Sequence, residues 1–327
     1  LIPKANPRIR SQYETPDILM EVVMITVVGS LNMDFVINTK VIPRPGETVL
    51  GNKFQQIPGG KGGNQASAAA RLGSKVTMIG AVGKDMLGEE LIRSLKKDGV
   101  KTDYIQKKDG ISTGIASITV ENSGNNAITV VSGANYSLAV EDVERYHFVI
   151  EKSKVLLVQL ETPLLTIMKA LRIARHAERL TILNPAPAMK LNVEILSNTD
   201  ILIPNETELE MLSGCPVGTM EEIQTAGGKL LKKGIRDLIV TLGNKGCVHI
   251  SKEGMVHYPA RKVKAVDTTA AGDCFCGALA VALSENLPFE KAIPFAIAAS
   301  ALSVTKAGAQ TSLPYRTDVD AFINAKS

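Results

Sequence analysis

The sequence predicts an α/β protein: a three-layer α/β/α sandwich around a mostly parallel central sheet, with a small β-sheet lid beside it. Three observations predict it. Short apolar runs alternate with longer amphipathic ones along most of the chain, and two segments, one of them of period-2 alternation, interrupt that series. The third is size, because 327 residues that are 45% hydrophobic and 21% charged can bury a large core as one domain, or as one domain with an appendage.

Strands are expected at Val22–Val28, Val76–Ala81, Val155–Leu160, Thr181–Leu183, Ile201–Ile203 and Leu238–Leu242, each a short run rich in branched apolar residues. Helices fall between them at Gly63–Leu72, Gly88–Lys97, Leu164–His176, Thr207–Leu212 and Met220–Lys233, with a helical end at Gly272–Leu283 and Pro288–Val304. Phe35–Gln56 and Gly114–Val131 break the alternation. The second reads as two strands joined by the turn Asn122-Ser123-Gly124-Asn125-Asn126. Strands inserted between core elements are expected to form a separate small sheet, placed as a lid or a dimer contact. Residues 24–34, 57–112 and 133–327 then make the core, and residues 35–56 and 113–132 the lid. Residues 1–23, with three prolines and no periodicity up to Met20, read as an extension without a fold role.

Composition excludes several functions. The chain has no Trp, only 4% aromatic residues and a net charge of +4 spread among interspersed side chains, which argues against nucleic acid as a partner. No apolar run reaches membrane-spanning length. The four cysteines (Cys215, Cys247, Cys274 and Cys276) form no Cys-x-x-Cys pair, so they read as reduced, structural residues of a cytoplasmic protein.

The most informative stretch is Asp267-Thr268-Thr269-Ala270-Ala271-Gly272-Asp273, directly before the apolar helix-forming run Cys274–Leu283. Backbone N–H groups at a helix start lack partners and lie at the positive end of the helix dipole, so a phosphate can be held there if no bulky side chain intervenes. Ala270, Ala271 and Gly272 leave the approach open. Asp273, in the first turn, could take a proton from an alcohol that attacks the bound phosphoryl group. Taken alone, the stretch reads as an N-terminal cap, and the functional reading needs support from elsewhere in the chain.

Other strand ends supply company. Asn32 and Asp34 follow the first strand, and Asp34 could accept hydrogen bonds from two neighbouring hydroxyls of a polyol. Gly59-Gly60-Lys61-Gly62-Gly63-Asn64 is neither a Walker A loop nor a dinucleotide fingerprint, because the glycine spacing fits neither. Its glycines let backbone approach a polar ligand, and Lys61 and Asn64 offer donors. Glu161 ends a later strand. Asn205 and Glu208 match a capping box, or a polar pair that positions Mg²⁺ waters and phosphate. Thr241, Gly243 and Gly246 end another strand in a loop suited to a nucleotide. Polyol readers come early and phosphate-type sites late, which implies a sugar alcohol on one side and a nucleotide on the other.

In this order the Gly-Gly-Lys-Gly run at Gly59–Asn64, the N-x-x-E element at Asn205–Glu208 and the D-T-x-x-A/G-G-D stretch at Asp267–Asp273 resemble the ribokinase (PfkB) family of carbohydrate kinases, from about Met24 to the C-terminus. The resemblance implies ATP-dependent phosphorylation of D-ribose at O5. It implies Asn32, Asp34, Gly60, Lys61, Asn64 and Glu161 at the sugar, Asp273 as base and Ala270–Gly272 as anion hole. Asn205, Glu208, Thr241, Gly243, Gly246, Gly272 and Ile297 would lie at ATP and its Mg²⁺, with a K⁺ site held by Asp267, Thr269, Ser303, Lys306, Gly308 and Ser312. It also implies a homodimer formed through the lid. Gly63, Cys274 and Ile297 depart from the residues usual in the family, which bears on nucleotide affinity and sugar preference. The competing readings are a kinase of deoxyribose, another pentose or a nucleoside, and a catalytically silent sugar-binding protein of the same fold.

Overall fold

The computed structural model describes residues 24–325. In chain order, β1 (Ile25–Val28) runs into β2 (Asn32–Thr39) and β3 (Gly51–Gly59), followed by α1 (Lys61–Arg71), β4 (Val76–Gly83), α2 (Met86–Lys97) and β5 (Lys101–Lys108). Next come β6 (Gly114–Glu121), β7 (Asn126–Val131) and two short helices, α3 (Val140–Arg145) and α4 (His147–Lys152). The second half runs β8 (Val155–Val158), α5 (Leu164–His176), β9 (Leu180–Leu183), α6 (Val193–Ser197), β10 (Ile201–Leu202), α7 (Glu206–Ser213), α8 (Met220–Leu231) and β11 (Asp237–Thr241). It ends with β12 (Cys247–Ser251), β13 (Gly254–Tyr258), α9 (Ala271–Ser284), α10 (Phe289–Ser303) and α11 (Arg316–Asn324).

Nine strands form the large sheet in the order β13-β12-β11-β10-β9-β8-β1-β4-β5, parallel except for the β11-β12-β13 edge. Alternate residues of each strand enter opposite cores, as the pleat requires. Ile25, Val27, Val155 and Leu157 pack with α1, α9 and α10, while Val28, Leu156 and Val158 pack with α5 and α8. Two cores on two faces make the three layers that the alternation predicts.

The chain leaves β1 in one direction through β4 and β5, and in the other through β8 to β11, so the sheet's switch point lies between β1 and β8. Ligands of open α/β sheets bind outside the carboxyl ends of the strands at such a point. The small sheet, β3-β2-β6-β7, grows from that place: β2 begins at Asn32, four residues after β1 ends, and pairs there with Gly59 of β3 and Gly114 of β6.

Several expected boundaries move. The first expected strand begins at Val22, and its first two residues lie outside the described ones. Helix α1 starts at Lys61, two residues before the expected Gly63, because Gly60 takes a left-handed φ of 82° that ends the extended chain at once. The expected set also lacks β5, α3, α4, α6, α11 and the β12–β13 hairpin. Strand β5, Lys-Thr-Asp-Tyr-Ile-Gln-Lys-Lys, is an edge strand with too few apolar residues to show as a run.

Candidate active site

The site is assembled where β1, β8, β9, β10 and β11 end and where α1 and α9 begin. Close backbone approach makes it possible. A Cβ on Gly62 would lie 2.6 Å from the Ser30 nitrogen, and one on Gly59 would lie 2.4 Å from the Asp34 carboxylate. The glycines of the Gly59–Gly63 run therefore seat the start of α1 directly on the loop after β1, where the Gly63 N–H donates to the Ser30 carbonyl at 2.9 Å.

On one side of this seam stand Asn32, Asp34 and Glu161. Asn135 fixes Asn32: its Nδ2 donates to Asn32 Oδ1 at 2.8 Å and to the Leu31 carbonyl at 3.0 Å, while its Oδ1 accepts the Leu31 N–H at 2.8 Å. Glu161 Oε2 accepts from the Ser30 hydroxyl at 2.5 Å and from the Lys61 N–H at 3.1 Å, so one carboxylate bridges the ends of β1 and β8 and the first turn of α1. Burial pushes the Asp34 carboxyl up to about 7, with Glu161 and Asp273 adding to the rise and Lys61 opposing it. Burial also disfavours the Lys61 ammonium, but Asp273, Glu161 and Glu208 outweigh it and hold its pKa above the ordinary value. Three carboxylates around one half-buried cation leave net negative charge, which suits donors such as sugar hydroxyls.

Asp273 is the third residue of α9 and is 7% exposed. It does not cap the helix. Asn64 Nδ2 donates to its Oδ2 at 2.9 Å, and Gln65 Nε2 donates to its Oδ1 at 3.0 Å. Helix α9 has no side-chain cap: Ala270 stands at the N-cap position, and the Gly272 and Asp273 N–H groups have no acceptor among the described residues. A Cβ at Gly272 would meet nothing within 4 Å. The start of α9 is thus open, positive and beside a carboxylate, the chemistry of an anion site next to a proton acceptor.

A cavity of about 140 Å³, roughly the space of four or five waters, lies against it. Its wall brings together Lys61, Asn184, Asn205, Glu208, Thr241, Thr269, Gly272, Asp273 and Cys276. Asn205 and Glu208 do form the capping box, with the Asn205 N–H to Glu208 Oε2 at 2.9 Å and the Glu208 N–H to Asn205 Oδ1 at 2.8 Å. They face the cavity as well, and burial raises the Glu208 carboxyl against the pull of the Asn205 N–H and Lys61. Gly243 and Gly246 lie beyond β11 at the ends of a 3-10 turn, and Ile297 lies in the apolar cluster on α10; none of the three is on the cavity wall. A cavity of about 270 Å³ near Met24, Gly73 and Ser74 sits at the opposite edge of the sheet and gathers no comparable chemistry.

Behind α9, Asp267 joins two loops. Its Oδ1 accepts from the Thr269 N–H at 3.0 Å and from the Thr269 hydroxyl at 2.5 Å, and its Oδ2 accepts from the Gly308 N–H at 2.8 Å. Burial opposes its charge, but these bonds from Thr269 and Gly308 hold its pKa below the usual carboxylate range. Ser303 and Ser312 spend their hydroxyls on the Ser300 and Ala309 carbonyls, and the Lys306 N–H donates to the Ser303 carbonyl at 3.3 Å. A cation here would rely on main-chain oxygens, since among the described residues no group of three or more His, Cys, Asp or Glu side chains is arranged to hold a metal ion.

Sequence reasoning passed over Ser30, Gln65, Asn135, Gln159 and Asn184. Asn184 directly follows β9 and could have been found by the strand-end rule that selected Glu161 and Asn205. Asn135 carried no such signal, because only tertiary contact across 103 residues brings it to Asn32.

Comparison with known proteins places the chain among carbohydrate kinases. A ribokinase of Haemophilus influenzae is 43% identical over 300 residues, 91% of this chain and 98% of that one. A deoxyribokinase of Salmonella typhi is 39% identical over 291 residues, 89% of this chain and 95% of the relative. The structure of Arabidopsis thaliana ribokinase complexed with ribose and ATP matches with a TM-score of 0.86 at 32% identity, covering 93% of this chain and 99% of that one. The pattern of the pfkB family carbohydrate kinases itself fits residues 23–316, a span that contains every residue of the site built above, and the chain belongs to that family.

Proposed function

We propose that this protein transfers the γ-phosphoryl group of ATP to O5 of D-ribose, giving D-ribose 5-phosphate and ADP. The observation that carries the reading is the Asp273 carboxylate, fixed by Asn64 and Gln65 between the carboxylate-lined side of the site and the open start of α9. Asn32, Asp34, Gly60, Lys61, Asn64 and Glu161 hold the sugar. Asp273 takes the O5 proton as O5 attacks the γ-phosphorus, the bond from that phosphorus to the bridging oxygen breaks, and ADP leaves with the electron pair. The N–H groups at Ala270–Gly272 receive the charge that develops on the phosphoryl oxygens.

Asn205, Glu208, Thr241, Gly243 and Gly246 serve the nucleotide, with Ile297 beneath its base. Glu208 and Asn205 on the cavity wall fit the waters of Mg²⁺, which neutralises charge on the phosphates when bound. K⁺ behind the anion hole would be held by main-chain oxygens of the Asp267, Thr269, Ser303, Lys306, Gly308 and Ser312 loops, which Asp267 ties together. The small sheet is the lid and the homodimer contact: Phe54, Ile128 and Val130 are each at least half exposed on it. A cytoplasmic location belongs to the same reading, supported by four free cysteines.

A deoxyribose kinase is the second reading, because a relative of nearly equal identity bears that name. Loss of the 2-hydroxyl would leave buried Asp34 without the partner this reading gives it, which is costly, and that supports ribose. A coupled assay of ADP release over ribose, 2-deoxyribose, arabinose, fructose and nucleosides, with and without K⁺, tests this. Ribose should give the highest kcat/KM, and a higher value for deoxyribose would replace the substrate assignment.

A further inference from the structure

Four buried amide and carboxylate side chains form one directed chain behind the base. Gln65 is fully buried on α1. Its Nε2 donates to Asp273 Oδ1 at 3.0 Å and to Asn184 Oδ1 at 3.2 Å, and its Oε1 accepts from Gln159 Nε2 at 2.6 Å. Asn184 Nδ2 in turn donates to the Ile203 carbonyl at 3.0 Å. A carboxamide can sit either way round, so what sets its direction decides what it offers to its neighbours.

The direction here has a fixed origin. A main-chain carbonyl can only accept, so Ile203 turns the Asn184 amide nitrogen toward itself and leaves Asn184 Oδ1 facing Gln65. Asn184 Oδ1 and Asp273 Oδ1 both accept, so the Gln65 nitrogen must face them. Gln159 supplies the donor that the Gln65 oxygen then needs. Rotating the Gln65 amide would set its oxygen against two acceptors and its NH₂ against another NH₂. The other Gln159 atom, Oε1, has no partner among the described residues and lies against Gly29, where a Cβ would come within 2.1 Å of it.

We propose that Gln65, oriented by Asn184 and Gln159 from the carboxyl ends of β9 and β8, is the positioning residue of the proton acceptor. It holds Asp273 Oδ1 and so turns Oδ2 to the sugar. Among the described residues Oδ2 has only the Asn64 donor and keeps room for a hydroxyl. Gln65 itself is too deeply buried to reach the sugar. It acts on the phosphoryl transfer only through Asp273, an inference that rests on the function proposed above.

The test compares Gln65→Leu, Gln65→Met, Gln159→Leu, Gln159→Glu and the double variant Gln65→Leu/Gln159→Glu with the wild type, using whichever sugar the wild type phosphorylates best. A wild type inactive on every sugar refutes the proposed function, whereas the inference is read from ratios between variants. Losing one hydrogen bond to a charged group should lower kcat by about ten- to a hundredfold for Gln65→Leu and Gln65→Met, with KM for the sugar within about threefold. Gln159→Glu, an acceptor facing the Gln65 amide, should lower kcat more than Gln159→Leu, and the double variant should be no slower than Gln65→Leu alone. An unchanged kcat in both Gln65 variants overturns the inference, as does a KM that rises as much as kcat falls. Multiplying losses in the double variant overturn it too. If the Glu variants fail to fold, Gln159→Leu decides the orienting role: a kcat equal to the wild type removes Gln159 from the chain.

Discussion

Gly62→Ala puts a methyl group into the tightest seam of the site. Its Cβ would lie 2.6 Å from the Ser30 nitrogen, 2.7 Å from the Gly29 carbonyl carbon and 2.8 Å from the Gly29 Cα, all main-chain atoms that cannot rotate away. Ordinary contact begins near 3.4 Å, so α1 and the loop after β1 must part by about 0.8 Å. The bonds across that seam, Gly63 N–H to the Ser30 carbonyl at 2.9 Å and Lys61 N–H to Glu161 at 3.1 Å, would stretch to about 3.7–3.9 Å, past hydrogen-bonding range. Asn64 and Gln65 ride on the same helix and move off Asp273 with it. Overpacking of this kind costs about 1–3 kcal/mol, or about 2–8 °C in Tm for a chain of this size. A misplacement approaching 1 Å costs turnover about a hundredfold. Thermal melting and the ADP-release assay measure the two effects. Gly228→Ala is the control of opposite sign, because its Cβ would meet nothing within 4 Å in the interior of α8, and it should raise stability by up to about 1 kcal/mol. If Gly62→Ala melts and turns over like the wild type, close backbone approach does not build this site.

Asp273→Asn should keep sugar binding by calorimetry and lose at least about a hundredfold in kcat; comparable turnover would remove Asp273 as the base. Asp34 has a native pKa of about 7 against an ordinary 3.8, so the folded form holds a proton that the unfolded form has lost between those values. Its charge therefore lowers stability as pH rises through that window, by up to about 4 kcal/mol above pH 7. Asp34→Asn should then raise Tm at pH 8 and leave it unchanged near pH 4 while weakening ribose binding, and an equal Tm shift at both pH values would contradict the assignment. Gly272→Ala faces open space, so Tm should hold or rise slightly, but the methyl at the open start of α9 should cut turnover by about tenfold or more. Unaltered turnover would place the phosphoryl group elsewhere.

Much of the fold was legible because its signals are local. Helix α5 was read at both ends from its apolar period, and β6 and β7 from alternation around a glycine-bearing turn. Strand β5 and the β12–β13 hairpin were not, since β5 and β13 are the half-solvated edges of the sheet and owe their pairing to the strands they join. The candidate site divides the same way. Asp34, Glu161, Asn205, Thr241 and Asp273 stand out as polar residues at strand and helix ends. Gln65 looked like one more residue of the expected helix Gly63–Leu72, and Gln159 like one more residue of the expected strand Val155–Leu160. Their roles exist only through bonds to each other, to Asn184 and to Asp273.

By itself, the sequence determined the alternating layers, the glycine run that permits close approach and the small residues that leave the start of α9 open. Each of these depends on a residue's own conformational freedom or that of its immediate neighbours. Tertiary structure alone decided how the carboxylates differ. Asp34 is pushed up to about 7 and Asp267 is held low, while Asp273 is pinned by Asn64 and Gln65 from more than 200 residues away. The charge and aim of a buried acid depend on solvent exclusion and on donors within about 3 Å, and the chain brings these to it only when it folds.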